Sequence, residues 1–216
     1  MSKRFLGLFI LAGLMLPVAA KADSVQPAWD FSTVTAQGTS GTSYALGVLF
    51  TPTVNVWVDY LGYYDPVNVD GVSQPSLMTQ SHSVALYDVT TGGTSLAVTT
   101  VTNASTLSGH FLYNSIGPVE LLAGDTYELV GVTNTVDDYT YYSLVNGYTL
   151  NAPIDITGYN ENVATFAGYD GTATAGDIQY FGPDMGGYDT PEPNSLLLLG
   201  SGLAGLAGLI KRKLMA

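Results

Sequence analysis

The sequence predicts an all-β protein, an antiparallel β-sandwich of jelly-roll type, carried between two oily ends. Three observations predict it. Short apolar runs with period-two alternation recur roughly every eight to twelve residues, separated by Gly, Asn, Asp and Pro turns. Thr, Ser, Tyr and Val are abundant while charged residues make up only 11% of the chain, a composition that suits strands and turns better than helices. There is no cysteine, so an exported domain of this size has to stand on a hydrophobic core without disulfides.

The elements follow in order. Asp23 to Thr42 reads as a first strand around Trp29 and Phe31, then a turn at Gln37 to Ser43. Tyr44 to Phe50 is a strand. Val54, Val56 and Val58 alternate with Asn55, Trp57 and Asp59, which marks a half-buried strand with Trp57 on its polar face. Gly62 to Ser76, punctuated by Asp65, Pro66, Asp70, Gly71 and Pro75, reads as a long loop. Ser83 to Val89 and Ser95 to Val101 flank a Thr91-Gly92-Gly93 turn. Phe111 to Ile116 and Val119 to Leu122 follow as separate strands, and a turn at Ala123-Gly124-Asp125 leads into Thr126 to Val132. Tyr139 to Val145 and Tyr148 to Leu150 flank Asn146-Gly147, a hairpin dipeptide. Shorter strands are expected at Ile154 to Ile156, Ala164 to Phe166 and Ile178 to Phe181, then a linker from Gly182 to Thr190.

All six Lys and Arg lie at the termini. Lys3, Arg4 and Lys21 flank the apolar run Phe5 to Leu16, and Ala20 and Ala22 form a small-residue cleavage site, so residues 1–22 read as a signal peptide. Leu196 to Ile210 is a second apolar run, followed by Lys211, Arg212 and Lys213. With Ser195 it spans roughly 24 Å as a helix, short of a ~30 Å hydrocarbon core but within what bilayer thinning and basic flanks absorb. Basic residues hold their end of a span on the cytoplasmic side. Pro193 cannot sit inside a helix, so the helix starts beyond it. The chain therefore divides into signal peptide 1–22, sandwich 23–181, linker 182–190 and a C-terminal signal 191–216.

Between the ends the charge is all of one sign. Seventeen of the 18 acidic residues precede Glu192, and no Lys or Arg accompanies them. Such a field excludes nucleic acid as a partner. Its carboxylates have to be satisfied by backbone N–H groups, water or bound cations.

Pro191-Glu192-Pro193, a Leu- and Gly-rich span and a basic tail, on a chain with a signal peptide, resemble the PEP-CTERM sorting signal. The resemblance implies passage through the Sec machinery, a transient inner-membrane intermediate, processing by an exosortase near Pro191-Glu192-Pro193, and delivery to the cell surface or the extracellular space. It also implies a host that makes exopolysaccharide. Ser83 to Asp88, Phe111 to Tyr113 and Pro118 to Tyr127 are similar to a β-sandwich domain of no agreed activity found in PEP-CTERM proteins.

Chemistry is sparse. The body has no Cys, no Lys and no G-x-S-x-G elbow, and His82 and His110 lack metal-ligand spacing and read as surface or edge histidines. A catalytic site is not expected, and no cofactor is required. Calcium is the candidate metal: Asp59, Asp65, Asn68 and Asp70 carry oxygen ligands around one loop. The EF-hand pattern is not met, since Leu77 stands where the bidentate Glu belongs. Asp137-Asp138 is a second candidate. Trp57 is the candidate ligand platform, because sugar C–H groups pack on aromatic faces and their hydroxyls bond nearby Asp and Asn. The expected function is an exported surface or matrix structural protein, or alternatively a carbohydrate-binding module with or without calcium.

Overall fold

The computed structural model describes residues 25–35, 37–39, 41–66, 78–141, 147–163, 174–175 and 180–188. Fifteen strands run along them: β1 Trp29–Asp30, β2 Gly38–Thr39, β3 Tyr44–Pro52, β4 Val56–Tyr64, β5 His82–Asp88, β6 Thr94–Val101, β7 Thr106–Ser108, β8 Phe111–Leu121, β9 Tyr127–Val132, β10 Asp138–Tyr141, β11 Thr149–Leu150, β12 Ile154–Val163, β13 Thr174–Ala175, β14 Tyr180–Phe181 and β15 Pro183–Gly186. Every pairing given for them is antiparallel. Among the described residues no helix is long and apolar enough to cross a membrane. The signal-peptide and C-terminal helices expected from the sequence lie outside the described residues.

Two sheets close on one core. The larger has six strands in the order β13-β12-β3-β9-β5-β6, and the smaller has four in the order β15-β4-β8-β7. Val48 and Phe50 of β3, Val84 and Leu86 of β5 and Leu129 of β9 meet Val56, Val58 and Leu61 of β4 and Leu112 and Leu121 of β8 in a single buried cluster. Alternation decides who enters it. On β4, Val56 and Val58 are buried while Trp57 between them is exposed. Central strands are buried on both faces. On β5, Ala85 and Tyr87 leave the main core and pack with Ala45 and Val130 on the far side of the sheet.

The other face of the small sheet is covered as well. Its register pairs Gly62 with Tyr113 and Tyr64 with Phe111, and the segment Val25–Phe31 lies over them. Phe31 packs on Tyr64, Phe111 and Phe181, and Trp29 is fully buried. The same segment clasps the far end of the body. Pro27 bridges Gly186, and the Ala28 N–H donates to the Met185 carbonyl at 2.9 Å.

Three expectations are corrected by these pairings. Residues 183–186 are not linker: Pro183–Gly186 is a buried strand hydrogen-bonded to β4, so the body runs on past Phe181. Gly117-Pro118 does not divide two strands, because β8 passes through it as a bulge opposite Asp59. The loop expected from Gly62 begins only after Tyr64. Gly147 has the positive φ of 68° that suits the expected turn, while residues 142–146, which would form the other arm of a hairpin across Asn146-Gly147, lie outside the described residues; β10 pairs with β2 and β14, and β11 pairs with β1.

Gly62 is a point of close approach. A Cβ there would sit 2.5 Å from the ring of buried Tyr113. Gly62→Ala is therefore expected to destabilise the protein by about 1–3 kcal/mol, the usual cost of overpacking. Chemical denaturation with an unchanged m-value is the check, and wild-type stability in the variant would show that Tyr113 is free to yield.

Candidate functional site

A body without Lys or Arg has to satisfy its buried carboxylates from hydroxyls, amides and imidazoles. Three clusters do so. The largest sits where the segment after β9 meets the start of β5. The Asp137 carboxylate accepts from the Thr79 N–H at 2.8 Å, the Thr79 hydroxyl at 2.5 Å, the Gln80 N–H at 3.0 Å and the Asn134 side-chain amide at 3.0 Å. His82 Nε2 lies 3.1 Å from the same carboxylate, and its Nδ1–H donates to the Val132 carbonyl at 2.7 Å. The Asn134 carbonyl accepts from the N–H groups of Val136 and Asp137, which fixes the turn that presents Asp137. Burial alone would raise the Asp137 pKa, but the Thr79, Asn134 and Gln80 hydrogen bonds outweigh it and hold the group at about 2, below the ordinary 3.8. The His82 ring stacks on Tyr63 at a centroid distance of 3.9 Å, and the Tyr63 and Tyr180 hydroxyls share a short hydrogen bond.

The second cluster repeats the theme near the N-terminus. His110 Nδ1 lies 2.7 Å from Asp30 Oδ1, and its ring stacks on Phe31 at 4.3 Å. The third is on the last strand. Asp184 is fully buried, accepts from the Tyr113 hydroxyl at 2.5 Å, and accepts from the Met185 N–H at 2.7 Å. Burial pushes its pKa well above the carboxylate range, against the lowering effect of those donors, and Asp30 adds to the rise.

These clusters revise the histidines. His82 is buried rather than superficial and His110 is half-buried, each held by a carboxylate and an aromatic face. The Thr79 hydroxyl points to Asp137 and not to His82, whereas nucleophilic catalysis needs hydroxyl and imidazole in direct contact.

Of the first calcium set, the described residues include Asp59 and Asp65, and these two stand apart. Asp59 lies within β4, and Asp65 follows its end, where the Asp65 N–H donates to the His110 carbonyl at 2.9 Å. Six residue steps of extended chain separate them by about 20 Å, while two oxygens on one calcium ion are at most about 5 Å apart. Asp59 and Asp65 cannot share an ion. Asn68 and Asp70 lie outside the described residues. The Asp137 carboxylate already accepts from Thr79, Gln80 and Asn134 and lies against His82. Among the described residues no three His, Asp or Glu side chains converge to hold a metal.

Trp57 does stand where the alternation places it. It is 39% exposed on the outer face of the small sheet, while Trp29 is buried completely. Glu120 is its partner across the ladder. Asn55 lies beside it, with its carbonyl accepting from the Ala123 N–H at 3.0 Å and its amide 3.4 Å from the Glu120 carboxylate. An aromatic face with an oriented amide and carboxylate alongside can hold a hydroxylated ring.

Sequence reasoning singled out Asp137 only as a second metal candidate with Asp138, and did not find Asp184 at all. The only signal is the missing cations, which demand that some carboxylates be caged. Ala20, Ala22, Pro191, Glu192, Pro193, Lys211, Arg212 and Lys213 all lie outside the described residues. There the family comparison speaks: residues 189–213 match the PEP-CTERM protein-sorting motif. The motif implies a C-terminus held in the membrane until an exosortase cuts it, and then a surface or extracellular protein. The match covers the tail alone. No curated protein matches the chain.

The two buried acids respond to pH with opposite sign. Asp137 has a depressed folded pKa, so its contribution of about 2 kcal/mol is present above pH ~3.8 and is lost as pH falls toward 2. Asp184 has a raised folded pKa, so its contribution is present below pH ~3.8 and is lost as pH rises through the folded value. At pH 7, Asp137→Asn is expected to lower the melting temperature. Asp184→Asn is expected to raise it, because an amide can donate to Tyr113 and accept from Met185 without losing a proton. Thermal melts at pH 3, 5 and 7 decide the matter, and two variants shifting the same way at pH 7 would contradict it.

Proposed function

Starting from a chain that ends in a PEP-CTERM sorting motif, we propose that this is an exported, non-enzymatic β-sandwich sorted by an exosortase and released to a structural or interaction role among extracellular polysaccharide. Export through Sec by the signal peptide 1–22 belongs to the same proposal. One observation carries it beyond the motif itself. The fold closes at β15, and only four residues separate Gly186 from Pro191. A cut at Pro191-Glu192-Pro193 therefore leaves the body intact, as a processing signal at the end of a stable cargo requires. The caged state of Asp137, with its hydroxyl donor turned away from His82, supports a role without catalysis. Two sheets with strands crossing between them support the jelly-roll type, although the β5–β6 hairpin stays within one sheet.

A second proposal is a carbohydrate-binding module, favoured by the exposed Trp57 with Asn55 and Glu120 beside it. A body carrying only negative charge suits a neutral glycan and repels an anionic one. No calcium ion is invoked, because Asp59 and Asp65 are too far apart to share one.

Two measurements test these proposals. The intact mass of the protein released by its native host should end near Pro191; a secreted form that retains Leu196 to Ile210 would remove the processing idea. Retardation of the released protein in gels containing a neutral glucan should be lost in Trp57→Ala, at a cost of about 1–3 kcal/mol for an aromatic contact. Retardation unchanged by that substitution would leave the structural role standing alone.

A further inference from the structure

The N-terminal segment and the last strand share one cluster of acids. Asp184 and Gly186 point to the same face of β15, since strand side chains alternate. A Cβ on Gly186 would lie 2.5 Å from Val25 Cγ1, 3.1 Å from the Gln26 carbonyl oxygen and 3.4 Å from the Tyr113 ring. That face is therefore roofed by the segment Val25–Phe31. Asp184 is fully buried beneath it, and the Trp29 backbone N–H donates to its carboxyl alongside the Tyr113 hydroxyl and the Met185 N–H. Asp30, the next residue of the segment, carries a second carboxylate. Its Oδ1 accepts from the Phe31 N–H at 2.8 Å and meets His110 Nδ1 at 2.7 Å. Its Oδ2 lies so close to Gly109 that a Cβ there would strike it.

The other polar ties of the roof do not titrate. The Ala28 N–H donates to Met185, and the Ala28 carbonyl accepts from the Asn151 and Ala152 N–H groups at 2.8 and 3.2 Å. The Pro27 carbonyl accepts from the Asn151 side-chain amide at 3.1 Å, and the Val25 carbonyl accepts from the Ser108 hydroxyl. The titrating members are Asp30 on the segment, His110 before β8, Tyr113 on β8, Asp184 on β15 and Tyr188 just after it. Burial holds Tyr113 well above its ordinary value and lifts Tyr188 to about 12, so both phenols stay neutral across the physiological range. Three groups then set the charge. With Asp184 protonated and His110 charged, Asp30 is balanced and the cluster is neutral. With Asp184 ionised and His110 neutral, two carboxylates remain and no cation offsets them. One belongs to the segment and the other to the strand it covers.

We propose that the N-terminal segment is a clasp that acid closes and alkali opens, lifting from β15 while the two-sheet core stays folded. Asp184 cannot lose its proton in place without leaving a buried, unpaired charge beside Asp30. Lifting the segment lets water reach it instead. The sign follows from linkage. Burial raises the carboxyl above its ordinary 3.8 when the clasp is shut. Its contribution to the closed form is fully present below that value and is lost as pH rises toward the raised one. The core has no part in the change. β3, β5 and β9 are joined to one another, and β4 to β8, by ladders that do not involve the segment. Opening uncovers the Trp29 indole and the rings of Tyr64 and Phe111 that Phe31 packs on.

Hydrogen exchange of the full chain in nonionic detergent, followed by NMR, reads the clasp directly. The Ala28, Asn151 and Ala152 amides report the segment, and the amides of β3 and β9 report the core. After correction for intrinsic rates, protection of the segment is expected to fall about tenfold per pH unit between about pH 5 and 8, the linkage of a single proton. Protection in β3 and β9 should stay level over that range. Asp184→Asn, which has no proton to lose, should remove most of the fall. A second reading leaves the cluster untouched. In Trp57→Phe the one remaining tryptophan is the buried Trp29, and its quenching by acrylamide should rise several-fold over the same range. Segment protection that stays level with pH, or that falls only in step with β3 and β9, would overturn the proposal. So would an unchanged slope in Asp184→Asn, or a Trp29 that stays shielded throughout.

Discussion

A buried carboxylate with no cation to meet it constrains this molecule more than any other feature. Most domains can neutralise an interior acid with arginine or lysine, and this body has neither. Two physical solutions remain. A carboxylate can be surrounded by donors until the charge is tolerable, or it can keep its proton. Asp137 takes the first course, with Thr79, Gln80, Asn134 and His82 closing around it. Asp184 takes the second, inside the last strand. Each solution draws distant parts of the chain together, so the electrostatic problem and the topology are solved by the same contacts.

The consequence is a sandwich tied at its ends. Asp30 and His110 fasten the N-terminal segment to the small sheet, and Asp184 fastens β15 to Tyr113. These two ties lie close together, next to the Pro27–Gly186 bridge. A body whose C-terminal tail carries a sorting motif gains from this arrangement. Removal of either terminal segment leaves the joined strands in place. The same arrangement fixes the direction in which the sorting motif departs.

How much of this was legible beforehand differs by element. The alternation of Val56, Trp57 and Val58 correctly assigned one face to water, because a strand's period is rigid and local. The runs around Tyr44–Phe50, Ser83–Val89 and Thr126–Val132 became central strands because their apolar content leaves them no other stable place. The Asn146-Gly147 hairpin falls largely outside the described residues, where only Gly147 shows the positive φ that such a turn needs. Pro183–Gly186 looked like linker because Pro and Gly punctuate loops. It is a strand because β4 otherwise presents an open edge lined by Tyr60, Leu61 and Tyr63, and the segment's Met185 fills the core.

The functional elements divide along the same line. Linear order alone determined the addressing: basic residues beside oily termini, a Pro-Glu-Pro tripeptide ahead of a span, and an anionic middle. These work as strings, recognised by machinery that meets an extended chain, so the match over residues 189–213 needs no fold. Tertiary structure alone decided that Asp59 and Asp65 stand apart and that His82 is interior. Those facts depend on which strand lies next to which. Long-range pairing is set by the burial of aromatic side chains from across the chain, a quantity that no local window contains.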